Sequence, residues 1–259
     1  MNDVIVGLLA ALVCGGAGAL MPLVVARLPE PEPVPKVDPE LVGTERSAVP
    51  TPAQQLLIDE GPKPPYDEMA RSPGFARLVI ALAAMVGALL GWGLGWEWTL
   101  LLVLPLAPLG ATLAMIDLRC RLLPTRLVLP ALALALAYGL VAWALSGSAE
   151  DLVRGLIGMI AARSFFWVLW FVRSAGMGFG DVRLSALLGY VLGYLGWAQY
   201  AVGLYAPFLI FALPGLALAI VRRDRSLLKK PFPFGPFLLL GALLGILLGE
   251  PLFDGLTAG

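Results

Sequence analysis

Two carboxylates could do chemistry together in this chain. Asp117 lies in Met115-Ile116-Asp117-Leu118-Arg119, and Asp181 ends the run Gly176-Met177-Gly178-Phe179-Gly180-Asp181. Their surroundings are largely apolar. Alternating glycines make a poor helix interior, since each costs about 1 kcal/mol relative to Ala, and they offer nothing to pack on a strand face. Near a membrane such backbone is tolerated only where it is buried in protein or lines a wet cavity. An ionisable residue placed there is a functional candidate. Two carboxylates in one low-dielectric site cannot both ionise cheaply, so one proton is held between them. A pair of that kind can activate a water and protonate an amide nitrogen, which is peptide hydrolysis by general acid–base catalysis. Singly, each has a plainer reading: Asp181 as a helix N-cap, Asp117 as a surface ion pair worth about 0–1 kcal/mol.

Other chemistries are poorly served. The chain has no His, which removes His-based general bases and Ser-His-Asp triads. Its two cysteines, Cys14 and Cys120, are isolated, and no CxxC pair exists for a zinc ribbon or a thioredoxin-like motif. Asp224, inside Arg222-Arg223-Asp224-Arg225, reads as part of a solvated charge cluster. No metal and no cofactor is expected from these residues, and nothing points to nucleic acid.

The elements that must position the two acids are membrane helices. With 59% hydrophobic residues and a mean hydropathy of +0.86, the composition is that of an all-α polytopic membrane protein. A spanning helix needs roughly 20 mainly apolar residues. Eight stretches are expected to span the lipid bilayer: 4–26, 76–96, 98–116, 124–145, 152–172, 183–198, 200–220 and 234–250. Gly196, Trp197 and Gln199 are the expected turn between the sixth and seventh. The first reads as a retained helix, because Asp3 and no Lys or Arg precedes its apolar run. Three regions follow: a first helix in 1–27, a Pro-rich loop over 28–75, and seven helices over 76–259.

With the N-terminus outside and the helices alternating, 16 of the 18 Lys and Arg residues fall on the inner side. Only Arg154 and Arg163 do not fit. A bias of this size in short loops sets orientation, and it places Asp117 and Asp181 at one depth on the inner boundary. The loop 28–75 holds 11 of the 22 prolines and 9 of the 18 acids, too little apolar surface to offset chain ordering. A short helix is predicted there over 51–60, with Thr51 as N-cap and Pro52 at its first position.

At these residues the sequence resembles the prepilin peptidases, or type IV leader peptidases. The resemblance rests on Ile116-Asp117-Leu118-Arg119 with Leu123-Pro124, and on Gly176-x-Gly178-x-Gly180-Asp181-Val182-Arg183-Leu184. Arg27-Leu28-Pro29 and Pro233-Phe234-Gly235-Pro236-Phe237 add weaker support. It implies a membrane aspartic endopeptidase of the cytoplasmic (inner) membrane that cuts a short basic leader from pilin or pseudopilin precursors on the cytoplasmic side. Asp117 and Asp181 would be the catalytic pair, and Gly176, Gly178, Gly180, Arg183, Arg119 and Pro124 would shape the site or bind substrate. Many bacterial members also methylate the new N-terminus with S-adenosylmethionine and carry two zinc-binding CxxC pairs in the first cytoplasmic loop. Here residues 27–75 hold no cysteine, so methyl transfer is not expected, while the peptidase motifs are intact. Arg183 stands where Lys is commoner, and Thr125 where an acidic or amide residue is frequent.

Two other classes compete. A transporter could use membrane-edge carboxylates for a cation, with a broken helix at 176–180, but both acids lie at the inner edge and no inverted repeat is visible. A non-catalytic assembly partner could have kept the fold, and loss of one aspartate would mark it. Both are present.

Overall fold

A computed structural model describes residues 2–30, 64–172, 178–222 and 233–257. Every element among them is an α-helix. In chain order these are α1 (Asp3–Val25), α2 (Tyr66–Arg71), α3 (Pro73–Leu94), α4 (Leu100–Val103), α5 (Leu106–Cys120), α6 (Thr125–Ser146), α7 (Glu150–Val172), α8 (Phe179–Leu195), α9 (Trp197–Arg222) and α10 (Gly235–Thr257). The helix predicted at 51–60 lies outside the described residues.

Long apolar sequences become helices because a membrane leaves no water to satisfy the backbone. Their outward faces confirm the solvent: Leu12, Leu134, Leu145, Ile160 and Phe171 are all widely exposed. Exposed apolar surface on this scale marks lipid contact.

Among the described residues, six of the eight expected spans meet the length and composition of a membrane crossing: α1, α3, α4 with α5, α6, α7 and α10. The third is interrupted at Leu104 and Pro105, where proline removes a ladder donor. The sixth differs from expectation. Helix α8 has 17 residues and starts at Phe179, four positions earlier than predicted, and 13 of its residues are buried. It is an interior helix wrapped by its neighbours, with little lipid-facing surface. Between α8 and α9 the break is Gly196 alone; Trp197 and Gln199 already belong to α9.

Small residues knit the bundle as three close pairs, α1 with α3, α7 with α8, and α9 with α10. A Cβ on Gly91 would lie 2.7 Å from Ala10 Cβ; one on Gly189 would lie 2.6 Å from Ala162 Cβ; one on Gly245 would lie 2.6 Å from the Gln199 carbonyl oxygen. Membrane helices associate through such small-residue seams, because lipid supplies no hydrophobic drive between them.

The described ends of the Pro-rich loop are ordered against the bundle, which shortens the expected 28–75 loop at its C-terminal side. Tyr66, Met69 and Ala70 of α2 are buried. The Glu30 carboxylate accepts the N–H of Tyr66 (2.9 Å) and of Asp67 (3.2 Å), filling two orphan donors at the start of α2. Cys120 Sγ donates to the Pro64 carbonyl at 3.7 Å. Burial, with Cys120 and Glu30 nearby, pushes the Tyr66 phenol up to about 12, so it stays neutral.

Arg154, one of the two basic residues that break the orientation pattern, has a partner for its charge. It donates to the carbonyls of Gly193 (2.7 Å) and Tyr194 (2.6 Å), the last turn of α8, and to Asp151 Oδ1 (2.8 Å). A cation at a helix C-terminus complements the dipole and fills orphan acceptors. Arg154→Met is expected to lower stability by about 2 kcal/mol, read as a melting shift in detergent, with cleavage per folded molecule unchanged.

Candidate active site

Asp117 lies in the last turn of α5. The helix runs on to Cys120, four residues past the expected end, and closes with Arg121 in the left-handed region (φ 52°), its N–H bonded to the Asp117 carbonyl at 2.8 Å. The chain then turns through Leu122 and Leu123 to Pro124, the extended N-cap of α6. Asp117 is 5% exposed, so it is buried and not at the surface.

Asp181 lies in the first turn of α8, whose N-cap is Gly178 in extended conformation. The Asp181 N–H donates to the Gly178 carbonyl at 3.1 Å. Asp181 is therefore the third helical residue and not the N-cap, and it too is 5% exposed. Its Oδ1 is buried with no hydrogen-bond partner among the described residues.

Three contacts draw these helix ends together. A Cβ on Gly180 would stand 2.7 Å from Leu123 Cβ, so α8 meets the turn that follows Asp117 with no space for a side chain. The Gly235 N–H, at the start of α10, donates to Asp117 Oδ2 at 3.0 Å. A Cβ on Gly235 would also reach Leu123 Cδ2 at 3.4 Å. Through the Leu123 turn, the end of α5 that carries Asp117 meets the start of α8 that carries Asp181. On the membrane side of the pair, between α3, α5, α8 and α10, lies an apolar cavity of about 200 Å³ lined by Leu82, Ala107, Ala114, Val191, Pro236 and Leu243.

The other residues singled out from sequence are distributed unevenly. Gly178 and Gly180 are at the site, and Pro124 turns the chain beside it. Arg183 lies one helical half-turn from Asp181; its Nη1 donates to Thr125 Oγ1, and its guanidinium sits 4.8 Å from the Phe179 ring centroid. It ties α8 to the start of α6. Arg119 is turned elsewhere, donating to Ser72 Oγ at 3.3 Å with its guanidinium 5.6 Å from the Phe75 ring centroid. It fastens α5 to α3. Gly176 lies outside the described residues. Gly235 was legible only as part of a Pro-Phe-Gly-Pro-Phe motif, and its bond to Asp117, 118 positions away, had no local signal.

Among the described residues no group of three or more His, Cys, Asp or Glu could hold an ion, and both cysteines are buried, in α1 and at the end of α5.

Comparison with known proteins gives a consistent result. A "Prepilin leader peptidase/N-methyltransferase" of Aeromonas hydrophila is 32% identical over 178 residues, covering 67% of this chain and 58% of that protein. Proteins of the same name from Burkholderia pseudomallei strain K96243 (36% over 153 residues, 56% of this chain, 46% of that protein) and Pseudomonas aeruginosa (31% over 177 residues, 67% and 58%) are similar to it as well. The chain thus spans less than two thirds of the length of these relatives. No solved structure matches it. Residues 104–249, which carry both aspartates, the Gly-rich run and the start of α10, match the type IV leader peptidase family, and the chain belongs to that family.

Proposed function

We propose that this protein is a membrane aspartic endopeptidase that removes the basic leader from type IV pilin-like precursors, at the cytoplasmic face of the inner membrane. The observation that supports this reading is that two buried aspartates, 64 residues apart in sequence, sit at adjoining ends of α5 and α8. With one proton shared between them, the ionised carboxylate takes a proton from water as the water oxygen bonds to the scissile carbonyl carbon. The protonated one then gives its proton to the amide nitrogen, and the C–N bond breaks. The names of the relatives also include N-methyl transfer. For this chain the proposal is hydrolysis alone, because 27–75 hold no cysteine for the zinc module.

The test is to incubate the purified protein with a pilin precursor and sequence the product. A single new N-terminus at the leader junction, with no added methyl mass in the presence of S-adenosylmethionine, is the expected outcome. An intact precursor would refute the peptidase reading, and a methylated product would refute its restriction to hydrolysis.

Orientation has its own check. A cysteine placed at Ser47 is expected to react only with reagents that enter the cytoplasm. Labelling of intact cells by an impermeant external reagent would reverse the topology and remove the site from its substrate.

A further inference from the structure

Gly235 opens α10, so its N–H is one of the four at a helix start that have no partner within the helix. It is spent on Asp117 Oδ2, and both residues are buried. The positive end of the α10 dipole points the same way. A second, independent observation concerns space. A Cβ at position 235 would lie 2.7 Å from Asp117 Oδ2 and 3.2 Å from its Cγ. Only a residue without a side chain lets this amide approach the carboxylate without displacing it. The start of α10 is itself held in place: the Phe234 ring packs with Phe166, Phe208, Phe211 and Phe237 at centroid distances of 5.3–6.4 Å.

We propose that Gly235 is the positioning residue of the pair, its N–H fixing the Asp117 side chain and reserving Oδ2 as an acceptor. This rests on the peptidase reading above. An oxygen already committed to an N–H donor is a poor place for the shared proton. Among the described residues Asp181 Oδ1 is buried with no hydrogen-bond partner, which makes it the better place for that proton. Gly235 acts through Asp117 and does not itself take part in bond making.

The test is Gly235→Ala in the full chain, with kinetics and melting measured together. Displacing a reacting group by about 1 Å costs about 10²-fold. The expected result is a fall of that size in kcat, with KM changed by less than about threefold. In an Asp117→Ala background the oxygen that the new Cβ meets is gone, so the melting loss caused by Gly235→Ala is expected to shrink by at least about half. Near-normal kcat, or an equal melting loss in both backgrounds, overturns the proposal. If Gly235→Ala alone does not fold, recovery of folded protein in the double variant supports it and continued failure overturns it. Asp117→Asn is run alongside. If that variant is inactive while Gly235→Ala is normal, only the positioning role falls; if Asp117→Asn is active, the peptidase reading falls and takes this proposal with it.

Discussion

Asp117→Asn and Asp181→Asn are each expected to reduce cleavage by about 10⁴-fold or more, while both proteins still insert and fold. Asparagine keeps the shape of aspartate and can still accept the Gly235 N–H through its amide oxygen, so the bundle loses little. What it loses is the proton that moves. In the proposed mechanism the pair holds one carboxylate and one carboxylic acid at the start of each turnover, and neither amide could fill either role. Rates should therefore be compared per folded molecule, with melting and yield measured on the same preparations. The pH profile of the wild type is expected to fall on both sides of an optimum, and its two apparent constants belong to the pair and not to either residue. Phenylmethylsulfonyl fluoride, thiol reagents and EDTA are expected to leave activity intact. Near-normal turnover in either single variant would remove shared-carboxylate hydrolysis and favour a transport or scaffold role.

Gly180→Val is the second large effect. At this position even a methyl group would meet Leu123 Cβ at 2.7 Å. Leu123 is held between buried Asp117 and the N-cap Pro124, in a turn with little slack. The new side chain has to push α8 and the Asp117 turn apart, and β-branching adds its own stiffness at χ1. A displacement of about 1 Å between the two acids is enough for a loss of about 10²-fold. The expected pattern is a fall in kcat larger than any fall in the yield of folded protein, with Gly180→Ala between wild type and Gly180→Val. Normal turnover in Gly180→Val would mean that the α8 contact with Leu123 does not set the spacing of the pair.

Much of this was readable from residue order. The apolar runs marked the helices because a membrane permits little else, and the glycine alternation around 176–180 pointed to Asp181 because no regular element wants it. Local rules failed where long-range contacts decide. Asp181 was expected just ahead of its helix, yet α8 starts at Phe179, because Gly178 supplies an extended N-cap and the rest of the helix is buried by α6, α7, α9 and α10. Helix α2 was hidden by the prolines around it. Tyr66, Met69 and Ala70 follow helical spacing, but what holds them is Glu30, 36 residues back. Arg119 and Arg183 looked equivalent in sequence as basic neighbours of the two acids. Their separate fates depend on Ser72 with Phe75 and on Thr125 with Phe179, partners that no short window contains for Arg119 and only half contains for Arg183.

Whether Asp117 and Asp181 work as one unit is best tested by a double-mutant cycle on cleavage. Wild type, Asp117→Asn, Asp181→Asn and the double variant are purified, matched for folded content, and given the same pilin precursor. Groups that act together are not additive, so the double variant is expected to be no slower than either single one. A double variant slowed by the product of the two single effects would mean two independent contributions, and would contradict a proton shared between the acids.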